Sequence, residues 1–269
     1  EYRDTKNTVK LLVDSKCNKK IIKDLKRLLE VGCPNKMNAS SSHKNFLDFL
    51  RYGNHSSIDK NIEKTTKTMN KEDKNQYLLP LPCWMARFIK NLHVTPQGLV
   101  IKPGKNDRLI WDGSFIPNWQ ATCINMMLST DTEPEIIYGE TFMKHLESIW
   151  NLRITHPVTD ILLFDDDVKG AFRHNKYHPD IAAAFSFIIA NLLYIPLGRT
   201  FGSITSPSNF DPIARARIHL ANFLSNRTDL LQKYKHIIDK VKFSEEPDSN
   251  TVFVQAVKDS IHKGVQDTK

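Results

Sequence analysis

Only four cysteines occur among the 269 residues, at positions 17, 33, 83 and 123. They form no CxxC pair and no metal-ligand spacing, which excludes a disulfide framework and a zinc module and fits a reducing compartment. No apolar run reaches membrane length uninterrupted. The nearest, Ile181 to Gly198, carries Ser186, Asn191 and Pro196, so no membrane span is expected. No internal repeat is apparent, and the residues from Glu1 onward show no basic-then-apolar pattern, so the expected location is intracellular, in cytoplasm or nucleus, and not secreted. A chain that opens on Glu1 is expected to continue something longer. Acidic residues are in the minority: 38 Lys and Arg face 30 Asp and Glu, a net charge of +8. A basic balance of this kind favours polyanionic partners such as nucleic acid.

The excess is not evenly spread. Residues 1–74 hold 17 Lys/Arg and 10 Asp/Glu, and the rest hold 21 and 20, so the first quarter reads as a basic, partly ordered N-terminal extension. Its apolar stripes are short. Ile21, Ile22, Leu25, Leu28 and Leu29 have helical spacing after a cap at Asn18 and before Gly32, and Phe46, Leu47, Phe49 and Leu50 form a second stripe. The linkers between them, such as Asn38 to His43, read as mobile. The lysines are read either as a solvated face or as a surface for nucleic acid backbone.

From Leu78 onward short apolar runs alternate with turn residues. Gly98 to Lys102, the turn Pro103 to Asp107, and Arg108 to Trp111 predict a basic hairpin. Ala184 to Pro196 predicts a second hairpin broken at Ala190-Asn191. Glu140 to Leu152 predicts a helix with Phe142, Leu146, Ile149 and Trp150 on one face. Ser206 and Pro207 predict a helix start, with the hydroxyl as cap, leading to Phe210, Ile213, Ala214, Ala221 and Leu224. Ile161 to Phe164 predicts a buried strand that runs into Asp165, Asp166 and Asp167. Crowded carboxylates repel unless a cation holds them, so the triplet reads either as a divalent-metal site or as a solvated acidic turn. Strand alternation lets at most two of the three share one ion.

Three segments in order carry a resemblance. The first is Leu99-Val-Ile-Lys-Pro-Gly-Lys-Asn-Asp-Arg-Leu-Ile-Trp-Asp112, and the second is Asp167-Val-Lys-Gly-Ala-Phe-Arg-His-Asn-Lys-Tyr-His-Pro-Asp180. The third is Phe201-Gly-Ser-Ile-Thr-Ser-Pro-Ser-Asn-Phe210. Together they resemble the fingers hairpin and the first two palm motifs of reverse transcriptases from eukaryotic retrotransposons, over roughly Asn75 to Leu224. The resemblance implies an α+β fold, with fingers over 75–131, a partial palm over 132–269, and an antiparallel palm sheet with helices on one face. It implies an RNA-directed DNA polymerase that binds an RNA or DNA template with its primer, and deoxynucleoside triphosphates, for two-metal nucleotidyl transfer.

In that family pattern Asp167 is the catalytic carboxylate that binds two Mg²⁺ (or Mn²⁺) ions, and Val168 lends its carbonyl oxygen to a metal. Ala171 and Phe172 line the nucleotide site, where Phe172 excludes a ribose 2′-hydroxyl; an ordinary core aromatic is its alternative role. Lys102 and Arg108 match the cations that clamp the triphosphate, or are plain surface charges of a hairpin. Phe201 and Gly202 match the turn beneath the template base pair, where the missing side chain permits close approach. Ser206 and Pro207 read as helix-starting residues. The Asp-Asp hairpin that completes the metal site has no counterpart: the one later adjacent acidic pair, Glu245-Glu246, precedes Pro247 in a polar loop. The missing motif is expected just beyond Lys269, because Thr251 to Ala256 resembles the region that precedes it, and the fragment alone is expected to be inactive. Two other readings are a non-catalytic nucleic-acid-binding remnant of a retroelement and a metal-dependent glycosyltransferase. The second rests on the Asp-x-Asp pattern alone and does not explain the basic hairpin or the Gly turn.

Overall fold

In the first quarter, two helices begin where a polar side chain takes an otherwise unpaired amide. The computed structural model describes residues 5–33, 35–104, 107–130, 140–161, 168, 170–225 and 227. After α1 (Thr5–Asp14), α2 (Lys19–Glu30) opens with Asn18 accepting the Lys20 amide, and it buries Leu25 and Leu28 of the expected stripe. In α3 (His43–Tyr52) Ser42 accepts the Asn45 amide and Phe49 is buried. A short α4 (Ser56–Asp59) leads into α5 (Ile62–Lys74), which buries Thr65 and Met69. The stretch before α3 is held at several points. The Asn38 amide donates to the Met127 carbonyl at 2.8 Å, and Ser41 Oγ contacts both Asn45 and His93.

The remainder is mixed α and β with small antiparallel sheets. β1 (Leu78–Pro82) is followed by a 3₁₀ helix, Cys83–Phe88. β2 (Gln97–Val100) and β3 (Arg108–Trp111) form the predicted hairpin, with Val100 opposite Arg108 and Gln97 opposite Trp111. Then come α6 (Ile124–Met127), α7 (Glu140–Thr155), the 3₁₀ helix Ala171–His174 and α8 (Pro179–Ala182), which His178 caps. β4 (Phe187–Ile189) and β5 (Leu192–Pro196) form the second predicted hairpin. Ala190 and Asn191 both take positive φ, 50° and 61°, as a two-residue turn between twisted strands demands. β1 pairs with β5 in the order β1-β5-β4, so one sheet joins the expected fingers and palm ranges. α9 (Ser206–Ser225) starts at Ser206 itself. The Thr205 carbonyl accepts the Asn209 amide at 3.2 Å, so the cap position falls on Thr205, one residue before the expected one.

Residues through Ile218 form one compact unit, and a second runs from His219. The core of the first centres on Met69, Leu78, Trp111, Ile124, Tyr177, Phe185 and Phe187. A smaller cluster gathers Phe49, Val94, Cys123 and Leu193, so two side chains from residues 1–74 sit in the cores. The strand expected over Ile161–Phe164 lies, beyond Ile161, outside the described residues, and so do Asp165 to Asp167, Glu245-Glu246 and Thr251–Ala256. No helix among the described residues is long and apolar enough to cross a membrane.

His93 is buried against Phe49 of the smaller cluster. It is fully buried, its ring edge meets Phe49 at 4.6 Å, Nδ1 lies 3.2 Å from Ser41 Oγ, and Nε2 has no partner among the described residues. Burial pushes its pKa down from 6.5 to about 4, so the folded protein holds it neutral. Above pH 6.5 both folded and unfolded chains carry a neutral imidazole and nothing is lost. As pH falls from 6.5 towards 4, only the unfolded chain takes up the proton, and stability drops by a total of about 3 kcal/mol. Urea titrations between pH 7.5 and 5 are expected to show about 2 kcal/mol of this loss, and His93→Phe is expected to flatten the slope over that interval. An unchanged slope in the variant would assign the pH dependence to other groups.

Candidate functional site

The described part of the acidic motif begins with Val168, whose carbonyl accepts the Ala171 amide at 3.0 Å. Gly170 then turns in the left-handed region at φ 64°, and the 3₁₀ turn that follows carries Ala171 and Phe172. Phe172 packs on Phe201 with ring centroids 4.8 Å apart and meets the edge of Phe210 at 5.9 Å. An aromatic from the second resembling segment thus meets two from the third. Arg173, next along, lies 3.2 Å from Glu72 of α5 in a largely buried ion pair, which anchors this turn to the helical quarter.

Gly202 joins the third segment to the hairpin. Its φ is +101°, and a Cβ there would fall on the carbonyl oxygen of Trp111, the last residue of β3. Asn125 of α6 holds the same turn: Nδ2 donates to the Gly202 carbonyl at 2.8 Å and Oδ1 accepts the Ile204 amide at 3.1 Å. Asn175 Nδ2 donates to the Asn209 carbonyl at 2.8 Å, and the Asn175 carbonyl accepts the Arg199 amide.

Beneath the turn Arg199 is fully buried. Its guanidinium donates to Asn35 Oδ1 at 2.7 Å, to Ser206 Oγ at 3.3 Å and to Thr205 Oγ1, and its Cζ lies 5.3 Å from the Tyr177 ring centroid. Among the described residues it has no carboxylate partner. Neutral oxygens and an aromatic face therefore carry the desolvated charge. Tyr177 is buried, and burial raises its phenol pKa, with the Arg199 charge pulling the other way.

The expected site residues are therefore only partly assembled. Phe172, Phe201 and Gly202 come together, with Ala171 beside them. Lys102 and Arg108 are exposed and form no ion pair among the described residues. Arg108 stands at the far end of β3 from Trp111, about 10 Å away along the strand. Asp167 lies outside the described residues, so the metal expectation is untouched by geometry. Among the described residues no group of three or more His, Cys, Asp or Glu could hold a metal ion. Val168 keeps one carbonyl lone pair beyond its bond to Ala171. Sequence reasoning missed Asn35, Asn125, Asn175 and Arg199. Asn175 and Arg199 lie in or beside the resembling segments without standing out in them, and Asn35 and Asn125 carry no signal in the sequence. Comparison with family models, curated proteins and solved structures found no match for the chain.

Proposed function

We propose that these residues are the fingers and part of the palm of a reverse-transcriptase-like polymerase, which binds primer-template and a deoxynucleoside triphosphate for nucleotidyl transfer. The observation that carries the reading is convergence. Three segments far apart in sequence, chosen for their resemblance to polymerase motifs, supply Trp111, Phe172 and the Phe201-Gly202 turn to one place. In this reading the Phe172–Phe201 pair forms the apolar floor under the sugar and base of the incoming nucleotide. Gly202 lets the base pair approach the backbone, and the Asn125 clamp keeps that surface flat. Lys102 and Arg108, exposed on the hairpin, are available to neutralise phosphate charge. Asp167 and the Val168 carbonyl would hold a divalent ion, which supplies charge stabilisation at the attacking and leaving oxygens.

A labelled primer-template is expected to bind with a Kd that weakens steeply with salt, because phosphate contacts release counterions. Mg²⁺ with the templated deoxynucleotide is expected to tighten that complex. The double variant Lys102→Gln/Arg108→Gln should reduce this nucleotide response by about tenfold, roughly the worth of one charge-assisted contact. Asp167→Asn should abolish the Mg²⁺ dependence. Salt-insensitive binding, or a wild-type complex indifferent to nucleotide and Mg²⁺, would remove the polymerase reading. Salt-dependent binding with no nucleotide response would leave a nucleic-acid-binding protein in its place.

A further inference from the structure

We infer that the 3₁₀ helix Cys83–Phe88 and its continuation to Lys90 form a stacking platform for an unpaired nucleic acid strand. The segment has two faces with a three-residue period, as a 3₁₀ helix requires. Cys83, Ala86 and Ile89 pack against the smaller core cluster. Trp84 and Arg87 recur at the same period on the other face, and both are exposed, as are Phe88 and, past the end of the helix, Lys90. The core is therefore satisfied without the two large rings, yet Trp84 is 61% and Phe88 66% exposed.

The rings are not merely left over, because a cation is built onto them. The Arg87 guanidinium carbon lies 4.9 Å from the Phe88 centroid and 5.9 Å from that of Trp84. The ring centroids are 6.2 Å apart at 88°, so the rings offer two differently oriented faces rather than one continuous stack. Residues 75–106 contain four Lys or Arg and no Asp or Glu. An apolar protein partner would have to desolvate Arg87 and Lys90 with nothing to pair them. A flexible single strand suits both features: splayed bases stack on Trp84 and Phe88 while its phosphates meet the cations. A duplex does not, since its bases are already stacked inside. The identity of the strand rests on the reading above, in which it is an unpaired part of the template.

The test is fluorescence anisotropy of the full chain with a labelled, unstructured RNA dodecamer and with the same sequence as a duplex. Trp84→Ala and Phe88→Ala are each expected to weaken single-strand binding roughly tenfold and to leave duplex binding within twofold. Trp84→Phe should restore most of the loss. Arg87→Gln should reduce the slope of log Kd against log salt by about one. Because these side chains are exposed, thermal unfolding of each variant should match the parent and separate lost binding from lost fold. The inference is overturned if the double aromatic variant binds the single strand within twofold of the parent. It is equally overturned if single strand and duplex weaken alike, or if the variant changes only self-association in sedimentation. The nucleotide and Mg²⁺ response of the parent chain reports on the polymerase reading separately. No such response in a parent whose single-strand binding depends on Trp84 and Phe88 means that the polymerase reading has failed; a response in a parent whose single-strand binding ignores both rings means that the stacking inference has.

Discussion

Arg199→Ala is expected to lower the unfolding free energy by about 3–5 kcal/mol, through loss of a large buried side chain and its hydrogen bonds. Three neutral oxygens, from Asn35, Thr205 and Ser206, converge on this one guanidinium. Two of them have other partners: Ser206 Oγ also donates to the Thr200 carbonyl, and Thr205 Oγ1 accepts from Asn35 Nδ2. Removal of the arginine therefore strands fewer polar groups than the bond count suggests, and much of the loss comes from the cavity beside Tyr177. Arg199→Met tests this division. Methionine refills most of the volume and removes a desolvated cation that no carboxylate compensates, so its cost should be only about 1–2 kcal/mol. Arg199→Lys keeps the charge but has no planar fork to reach all three oxygens, and it should fall nearer to alanine. Guanidinium titrations of the three variants decide the matter. An alanine variant within about 1 kcal/mol of the parent would mean that the network is dispensable.

Gly202→Ala should cost about 3 kcal/mol or more, for two reasons that add. The positive φ alone penalises an L side chain by about 1–2 kcal/mol. The new Cβ would also lie on the Trp111 carbonyl oxygen and 3.5 Å from Trp111 Cε3, and a strand backbone buried at this point cannot move aside cheaply. Gly104 in the hairpin turn is the internal control. Its φ is +71°, yet nothing lies within 4 Å of its Cβ position, so Gly104→Ala should show the backbone penalty without the collision. Chemical unfolding of both variants separates the two terms. In the polymerase reading Gly202→Ala also lifts the turn off β3 and should weaken primer-template binding, while Gly104→Ala should not. Equal costs at the two sites would show that the close approach of Gly202 to Trp111 carries no energy.

Much of the local structure is legible because local chemistry decides it. Both hairpins follow from turn residues between apolar runs, and the second is sharpened by Ala190-Asn191 in the left-handed region. α2 follows from a stripe behind Asn18, and α9 from the Ser-Pro start, with a cap shifted by one residue. In the candidate site Phe172, Phe201 and Gly202 were identifiable as residues of interest from three ordered motifs. Their mutual contact was not, since Phe172 and Phe201 reach each other only when the 3₁₀ turn after Gly170 packs beside the turn that precedes α9. Arg199 shows the limit most clearly: an arginine flanked by Gly, Thr and Phe carries no periodic signal of burial. His93 is similar, a single imidazole whose neutral state depends on Phe49 and Ser41 being brought against it.

The sequence by itself determined the capped helices, the two hairpins, the basic charge with its acid-free stretch, and the order of the three motifs. These rest on interactions a few residues long, where turn preference, capping and periodicity need no partner from elsewhere. Only the tertiary structure decided that β1 pairs with β5, that Asn125 clamps the Gly202 turn, that Arg199 is buried among neutral oxygens, and that Trp84 and Phe88 remain outside. The physical reason is that burial and pairing are properties of contacts closed over long loops. Whether a polar side chain finds enough donors and acceptors to leave water, or an aromatic one finds a core position already filled, is settled by segments distant in the chain.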